Sequence, residues 1–344
     1  MTNKVDIKSM NLSELTVFIG ELGEKSFRAK QIYQWLHQKQ VDDFAEMTNI
    51  SKKLIEQLNE KAFLTALKPV EVQTSKIDGT KKYLFLLEDG NVIESVLMRY
   101  KHGNSVCISS QVGCRMGCNF CASTLDGLVR GLSAGEMLDQ IYQIGKDIGE
   151  RISNVVVMGT GEPLDNFDNL LKFIELLTDE NGIHISQRNL TVSTCGIVPK
   201  MKELAEKNLS ITLALSLHAS SQEKRKKLMP IAKAYDIAEV IEACKYYFEK
   251  TGRRITFEYS LVGGVNDTDE DAKALSDLIK GMNCHVNLIP VNPIKERDYV
   301  QSNENVIMAF KNKLEKNHIN VTVRREMGRD IDGACGQLRR KYMK

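Results

Sequence analysis

Proline is scarce in this chain, with 6 among 344 residues against a usual ~5%. That excludes long proline-rich linkers. With 42% apolar and 27% charged residues, the composition is that of a folded globular chain, not a disordered one. No apolar run approaches the ~18 residues of a membrane span. The opening residues, MTNKVDIKSM, carry no apolar signal segment, so a soluble, cytoplasmic protein is expected. Charge of one sign is also lacking: 47 basic against 45 acidic residues leave +2. Without a broad basic field, any nucleic-acid binding has to come from local patches. One candidate is the run Lys224-Arg225-Lys226-Lys227. Another is the tail, where Arg324, Arg325, Arg329, Arg339, Arg340, Lys341 and Lys344 face only Glu326, Asp330 and Asp332. Either patch alone is equally well a solvated surface. Internal repeats and low-complexity tracts are absent.

Hydrophobic periodicity divides the chain. Residues 1–65 read as a small helical module. Ser26 is placed to cap a helix with Ile32, Trp35 and Leu36 on one face, and Ser51 precedes a second helix with Leu54 and Leu58. Residues 66–99 change to a strand period around Asp78-Gly79 and Asp89-Gly90, pairs that favour tight turns, and predict a β-meander connector. From about 100 to 330, strand candidates at 105–110, 154–159, 190–194, 211–217, 254–260, 285–290 and 319–324 alternate with helical patterns. One helix opens on Ser133 and Glu136, a capping-box spacing. The expected fold is α/β, a partial (β/α) barrel with the helical module and the meander attached. In such barrels reactive groups sit at the C-terminal strand ends. Residues 331–344 form a C-terminal segment.

What is abundant is cysteine in one place. Four of the eight cysteines, Cys107, Cys114, Cys118 and Cys121, fall within fifteen residues. In a cytosolic chain such clustering indicates metal or catalysis more than disulfides. Zinc takes four ligands, commonly as two separated pairs, and an iron–sulfur cubane uses four thiolates. Here Cys114, Cys118 and Cys121 form CxxxCxxC just after a strand, and no cysteine or histidine follows within sixty residues. Three thiolates on a four-iron cube leave one iron open to an outside ligand.

This spacing resembles that of the radical S-adenosylmethionine (SAM) enzymes, in which the open iron of a [4Fe–4S] cluster is chelated by the amino and carboxylate groups of SAM. On that resemblance the remaining SAM contacts follow by position. Gly159-Thr160-Gly161-Glu162-Pro163 ends a strand, and Gly161 and Glu162 would meet the ligand, with Glu162 accepting from the ammonium. Ser193, Ser216, Leu217, His218 and Asn292 lie at neighbouring strand ends. A zinc knot, or buried cysteines that are merely neighbours, is the simpler alternative.

The chain further resembles the RlmN family of dual-specificity RNA methyltransferases. The likeness rests on SVCISSQVGCRMGCNFCAS (105–123), MGTGEPLDN (158–166), VNLIPVNP (286–293), RDIDGACGQL (329–338) and, in the helical module, FRAKQIYQW (27–35). It implies methylation of C2 of adenosine 2503 in 23S rRNA and adenosine 37 in tRNA, with two SAM per turnover. It implies that Cys335 carries the methyl group as S-methylcysteine, that Cys107 resolves the covalent adduct through a transient disulfide with Cys335, and that Glu94 accepts the C2 proton. A single-electron donor of flavodoxin or ferredoxin type is expected, as is a monomer. Thr160 stands where the family commonly has methionine, beside an intact Gly161-Glu162. Two other readings stay open. One is the Cfr-type relative, which methylates C8 of the same adenosine and tends to have alanine where this chain has Pro163-Leu164 after the glutamate. The other is a non-catalytic RNA-binding protein with a structural metal. Cys195, Cys244 and Cys284 read as plain buried thiols.

Overall fold

The computed structural model describes residues 4–293, 297–333 and 336–342. Ten strands form one sheet: β1 (Lys68–Thr74), β2 (Lys81–Leu86), β3 (Val92–Tyr100), β4 (Gly103–Ile108), β5 (Ile152–Val157), β6 (Leu190–Thr194), β7 (Thr212–Ser216), β8 (Ile255–Leu261), β9 (Cys284–Pro290) and β10 (Asn320–Val323). They lie side by side in chain order. Strands β1 to β4 are antiparallel, and β4 to β10 are parallel. Strands β1 and β10 are the two edges, so the sheet is an open, partial barrel. The expected meander is not a separate connector: β3 bonds directly to β4, so the three strands extend the parallel sheet.

Helices α1 (Leu12–Glu21), α2 (Ser26–His37) and α3 (Lys52–Lys61) precede the sheet. Helices α4 (Ala134–Ile148), α5 (Phe167–Thr178), α6 (Val198–Glu206), α7 (Gln222–Leu228), α8 (Ile237–Thr251), α9 (Asp269–Leu278) and α10 (Glu304–Lys316) fill the crossovers, and α11 (Gln337–Tyr342) follows β10. Local chemistry explains several ends. Ser133 and Glu136 form the capping box expected at the start of α4, and Ser51 accepts from Leu54 N–H at α3. Ser26 does not cap α2. It is the first helical residue, after Lys25, whose side chain makes no capping bond.

Strand register sorts side chains into two faces, because directly paired residues point the same way. Val96 pairs with Cys107, and Cys107 with Val156. The same face continues, in neighbouring rows, through Ser193–Ala214, Ser216–Glu258 and Glu258–Asn287. These residues make a largely polar inner face. The alternate positions, among them Leu213, Leu215, Phe257, Val286 and Leu288, are fully buried in the main apolar core. Thus ITLALSL and ITFEYSL alternate because helices cover one face while the other lines an interior.

A short parallel pair, Val5–Asp6 with Ala62–Phe63, ties the two ends of the helical module together, and an ion pair inside the protein pins the module to the barrel. Lys8 Nζ lies 2.7 Å from Asp139 Oδ1 on α4, both side chains having no solvent exposure. Asp139 also accepts from Leu67 N–H. Beside it, His37 Nδ1 and Tyr142 Oη are 2.9 Å apart, and burial pushes the His37 imidazole down to about 3, keeping it neutral. Removing one partner of such a pair strands the other charge. Lys8→Met should therefore cost about 3–5 kcal/mol of unfolding free energy. Lys81→Met, which breaks the partly exposed Lys81–Asp147 pair, should cost about 1 kcal/mol or less, both read from urea denaturation.

Candidate active site

At the C-terminal ends of the parallel strands lies a cavity of about 270 Å³, lined by Cys114, Cys118 and Cys121 together with Gly161, Glu162, Ser193, Ser216, His218 and Asn292. The three cysteines come from one loop after β4. That loop is held from both sides. Ser110 and Gln111 N–H both donate to Thr160 O, at 2.9 and 3.1 Å, and Cys114 N–H donates to Gly127 O at 2.9 Å. Asn119 N–H donates to Leu228 O at the end of α7, and its side chain to Lys227 O. Thr124 Oγ1 donates to the carbonyls of Cys118 and Cys121.

Glycines permit this crowding. Gly113 has φ +77°, and a Cβ there would collide with the Gly127 carbonyl oxygen. Gly161 has φ +114°, and its Cβ would lie 2.7 Å from Ser110 and Gln111 side-chain atoms. The glycines before Glu162 thus let two strand-end loops close on each other.

Glu162 is buried and joins three segments. Its Oε2 accepts from Cys195 N–H at 2.7 Å, its Oε1 from Leu164 N–H at 3.0 Å, and its own N–H donates to Gln111 Oε1. Burial pushes its carboxyl upward against these bonds. Ser193 and Ser216 hydroxyls face each other at 3.3 Å. His218 has φ +54°, and its Nδ1 accepts from Ser260 N–H at 2.9 Å, which leaves the other ring nitrogen as the donor in the neutral form. Burial lowers its pKa to about 3. Leu217 is apart from this lining: its side chain is in the core, and its N–H donates to Glu258 O. Any ligand contact of Leu217 would have to come through its backbone.

The donor set fits an iron–sulfur cluster. Burial pushes the Cys114 thiol up to about 12, with Cys121 and Glu162 adding to the rise. Burial likewise pushes Cys118 up, and the neighbouring thiols reinforce it. Sulfurs buried as those of Cys114 and Cys118 are favour the charged form only with a cation to share it, and thiolate ligation to iron would displace their protons. Among the described residues, no three Cys, His, Asp or Glu side chains are gathered as a single-ion site.

A second cavity, of about 330 Å³, adjoins the first and shares Asn292, Ile289 and Arg324 with it. Cys107 lines it, as do Val96, Gly333 and Gln337. Cys335 lies outside the described residues, and its assignment rests on sequence. Glu94 shares the inner face with Val96 and Cys107 and is buried. It is engaged with the C-terminal segment: Oε2 accepts from Gly336 N–H and Oε1 from Arg339 N–H, both at 2.6 Å. Lys82 Nζ lies 3.1 Å from Oε2 and donates to Asp332 O.

Several features escaped the sequence reading. Glu258 lines the first cavity, buried on the inner row of β8, with Asn287 donating to it and Arg324 opposing the upward push of burial. Its place in the alternation of ITFEYSL was the available signal. The basic run 224–227 is not a uniform patch: Lys224 pairs with Asp271, Lys227 with Glu223, and Arg225 is fully buried. In the tail, Arg329 and Lys341 pair with Glu326 and Asp332. Cys195 lines the cluster cavity, while Cys244 and Cys284 are buried in the core.

An open α/β barrel with three cysteines on one strand-end loop defines a radical SAM enzyme, and residues 108–279 match the Radical SAM superfamily. A solved radical SAM methyltransferase from Sphaerobacter thermophilus superposes with a TM-score of 0.93 at 39% identity, covering 97% of this chain and 98% of that one. Residues 5–64 match the Ribosomal RNA large subunit methyltransferase N-terminal domain. Similar proteins include probable dual-specificity RNA methyltransferases RlmN from Lachnospira eligens, 68% identical over 98% of this chain and 97% of the relative, and from Lachnoclostridium phytofermentans, 63% identical over 99% and 96%. The chain belongs to the RlmN family of dual-specificity RNA methyltransferases. Its cofactors are those of the radical SAM enzymes, a [4Fe–4S] cluster and SAM.

Gly113→Ala should cut iron uptake on anaerobic reconstitution several-fold. Gly127→Ala carries a similar positive-φ penalty with nothing within 4 Å of its Cβ and should lose much less. Equal losses would contradict the loop-packing account.

Proposed function

We infer that this chain methylates C2 of adenosine in RNA, at adenosine 2503 of 23S rRNA and adenosine 37 of tRNA, by radical chemistry through a methylated cysteine. Carbon 2 of adenine lies between two ring nitrogens and is electron-poor. It offers no electron pair for displacement on SAM, whereas a carbon radical can add to it. The observation that carries the reading is the joining of two cavities. One holds Cys114, Cys118 and Cys121, and the other holds Cys107 and the residues flanking Cys335, with Asn292, Ile289 and Arg324 common to both.

Cys114, Cys118 and Cys121 would ligate the cluster, and Gly161, Glu162, Ser193, Ser216, His218, Asn292 and the Leu217 backbone would hold SAM above it. When bound, the cluster supplies the single electron that cleaves SAM to a carbon radical. The chain's own residues do the rest. Cys335 first takes a methyl group from one SAM by displacement at its thiolate. The SAM-derived carbon radical would take a hydrogen atom from that methyl, the methylene radical would add to C2, and loss of one electron back to the cluster and of the C2 proton to Glu94 would leave RNA joined to the Cys335 sulfur through the new methylene. The Cys107 thiolate then attacks that sulfur, the carbon–sulfur bond breaks with its electron pair going to the methylene carbon, which takes a proton to become the methyl group, and the methylated base leaves with a Cys107–Cys335 disulfide behind. Electrons arrive from a flavodoxin- or ferredoxin-type donor. The target base has to be unstacked to reach the joined cavities. The helical module and the basic residues around Arg324 and Arg325 are the RNA-facing candidates, on a chain we take as a monomer.

Glu94 has two tasks in this scheme: holding the amides of Gly336 and Arg339, and accepting the C2 proton. Glu94→Gln separates them. The amide oxygen still accepts from a backbone N–H, so Cys335 methylation, read by intact-protein mass spectrometry, should persist. Transfer to RNA should fall about 10²–10⁴-fold. Loss of both activities together would assign Glu94 a holding role alone.

The function itself is tested by anaerobic incubation with SAM, reductant and rRNA, followed by nucleoside mass spectrometry. The expected product is 2-methyladenosine. With Cys107→Ala, a covalent RNA–protein adduct should accumulate. Finding 8-methyladenosine, or normal product release from Cys107→Ala, would overturn the corresponding part of the reading.

A further inference from the structure

Arg225 stands first by volume among the fully buried side chains. It sits on α7, whose C-terminal carbonyls receive Asn119 of the cysteine loop. Its Nη2 donates to Cys195 O at 2.6 Å and its Nη1 to Tyr235 O at 3.5 Å, while Nε is buried without a partner. Among the described residues no carboxylate pairs with it. The ionisable groups it faces are the thiols of Cys195, Cys118 and Cys244 and the imidazole of His218, which burial and Arg225 together keep neutral. The slot is built for it: Gly196, at φ +101°, has no Cβ, and one placed there would lie 3.2 Å from Nη2.

A guanidinium carried out of water without an anion is costly, and carbonyl oxygens offset only part of that cost. Tertiary packing alone gives no reason to retain a charge here, since an apolar side chain would fill the same volume. The missing anion has a natural source next door. A [4Fe–4S]²⁺ core on three thiolates carries a net charge of −1, and −2 after one electron is added.

We propose that Arg225 is the buried counter-charge of the cluster, a positioning residue that raises its reduction potential. The inference rests on Cys114, Cys118 and Cys121 being the ligands. The step is the transfer of one electron from a flavodoxin- or ferredoxin-type donor to the cluster, [4Fe–4S]²⁺ to [4Fe–4S]⁺, with no proton moved and no bond changed. A fixed positive charge stabilises the more negative product over the reactant. The oxidised cluster gains from Arg225 as well, so the residue also favours cluster retention, by a smaller margin.

The test is an EPR-monitored dithionite titration of the anaerobically reconstituted full-length protein, with iron content measured in parallel. Arg225→Gln keeps a donor for the Cys195 carbonyl and removes the charge. Its cluster should be reduced at a more negative potential, the reduction equilibrium falling about tenfold, which for a one-electron couple is about 59 mV. Arg225→Lys should return most of the difference, which a merely structural clamp would not do. A Gln variant with full iron and the parental potential would overturn the proposal. If Arg225→Gln does not fold, hydrogen exchange on the parent decides: cluster loading should protect the Cys195–Gly196 turn as well as the cysteine loop, and protection confined to residues 114–121 would overturn it. A parent protein that takes up no iron would instead remove the ligand assignment on which the proposal rests.

Discussion

The site depends on one tightly packed crossing of two loops. The cysteine-bearing loop after β4 and the Gly159–Glu162 loop after β5 approach so closely that Thr160 O receives two backbone N–H groups from Ser110 and Gln111. Glu162 then reaches on to Cys195 N–H after β6. Three successive strand ends are thus locked together by the chain's own hydrogen bonds. The three thiols line one cavity, and burial pushes those of Cys114 and Cys118 upward. Preorganisation of this kind suits one short loop to hold a cluster with an open iron.

The second dependence is on register. Because the strands run in chain order across a single sheet, one face carries Glu94 and Cys107 on the antiparallel side and Ser193, Ser216 and Glu258 on the parallel side. The extension by β1–β3 places Cys107 on the same interior as the cluster loop. It also gives the C-terminal segment a floor: Leu338 of α11 packs on Leu84 and Val92, while Glu94 and Lys82 bind its backbone. Residues 336–342, which follow Cys335 in the chain, are thus held on this floor by buried charge and by apolar contact together.

Elements governed by local chemistry were the ones readable from residues alone. All seven parallel strands fall where period and turn signals put them, as does the Ser133 capping box, because alternation and capping act over a few residues. The cysteine spacing and the family motifs carried the cofactors and the reaction class. What was not readable depends on contacts distant in sequence. Ser26 resembles an N-cap but starts the helix itself. The meander looks like a connector because its hydrogen bonds to β4 are not a local pattern. Arg225 reads as one of four exposed cations, and only packing against Cys195 shows that it is interior. Glu94 looks like an ordinary strand carboxylate until residues 242 and 245 positions later bring their amides to it.

The central claim is that Cys114, Cys118 and Cys121 hold a four-iron cluster with one iron open to SAM. EPR of the anaerobically reconstituted, reduced protein with and without SAM tests it most directly. The account predicts about four irons per chain and a cluster signal whose g-values shift when SAM is added, both lost in a Cys118→Ala variant. A protein that binds zinc in place of iron, or a cluster signal indifferent to SAM, would contradict it.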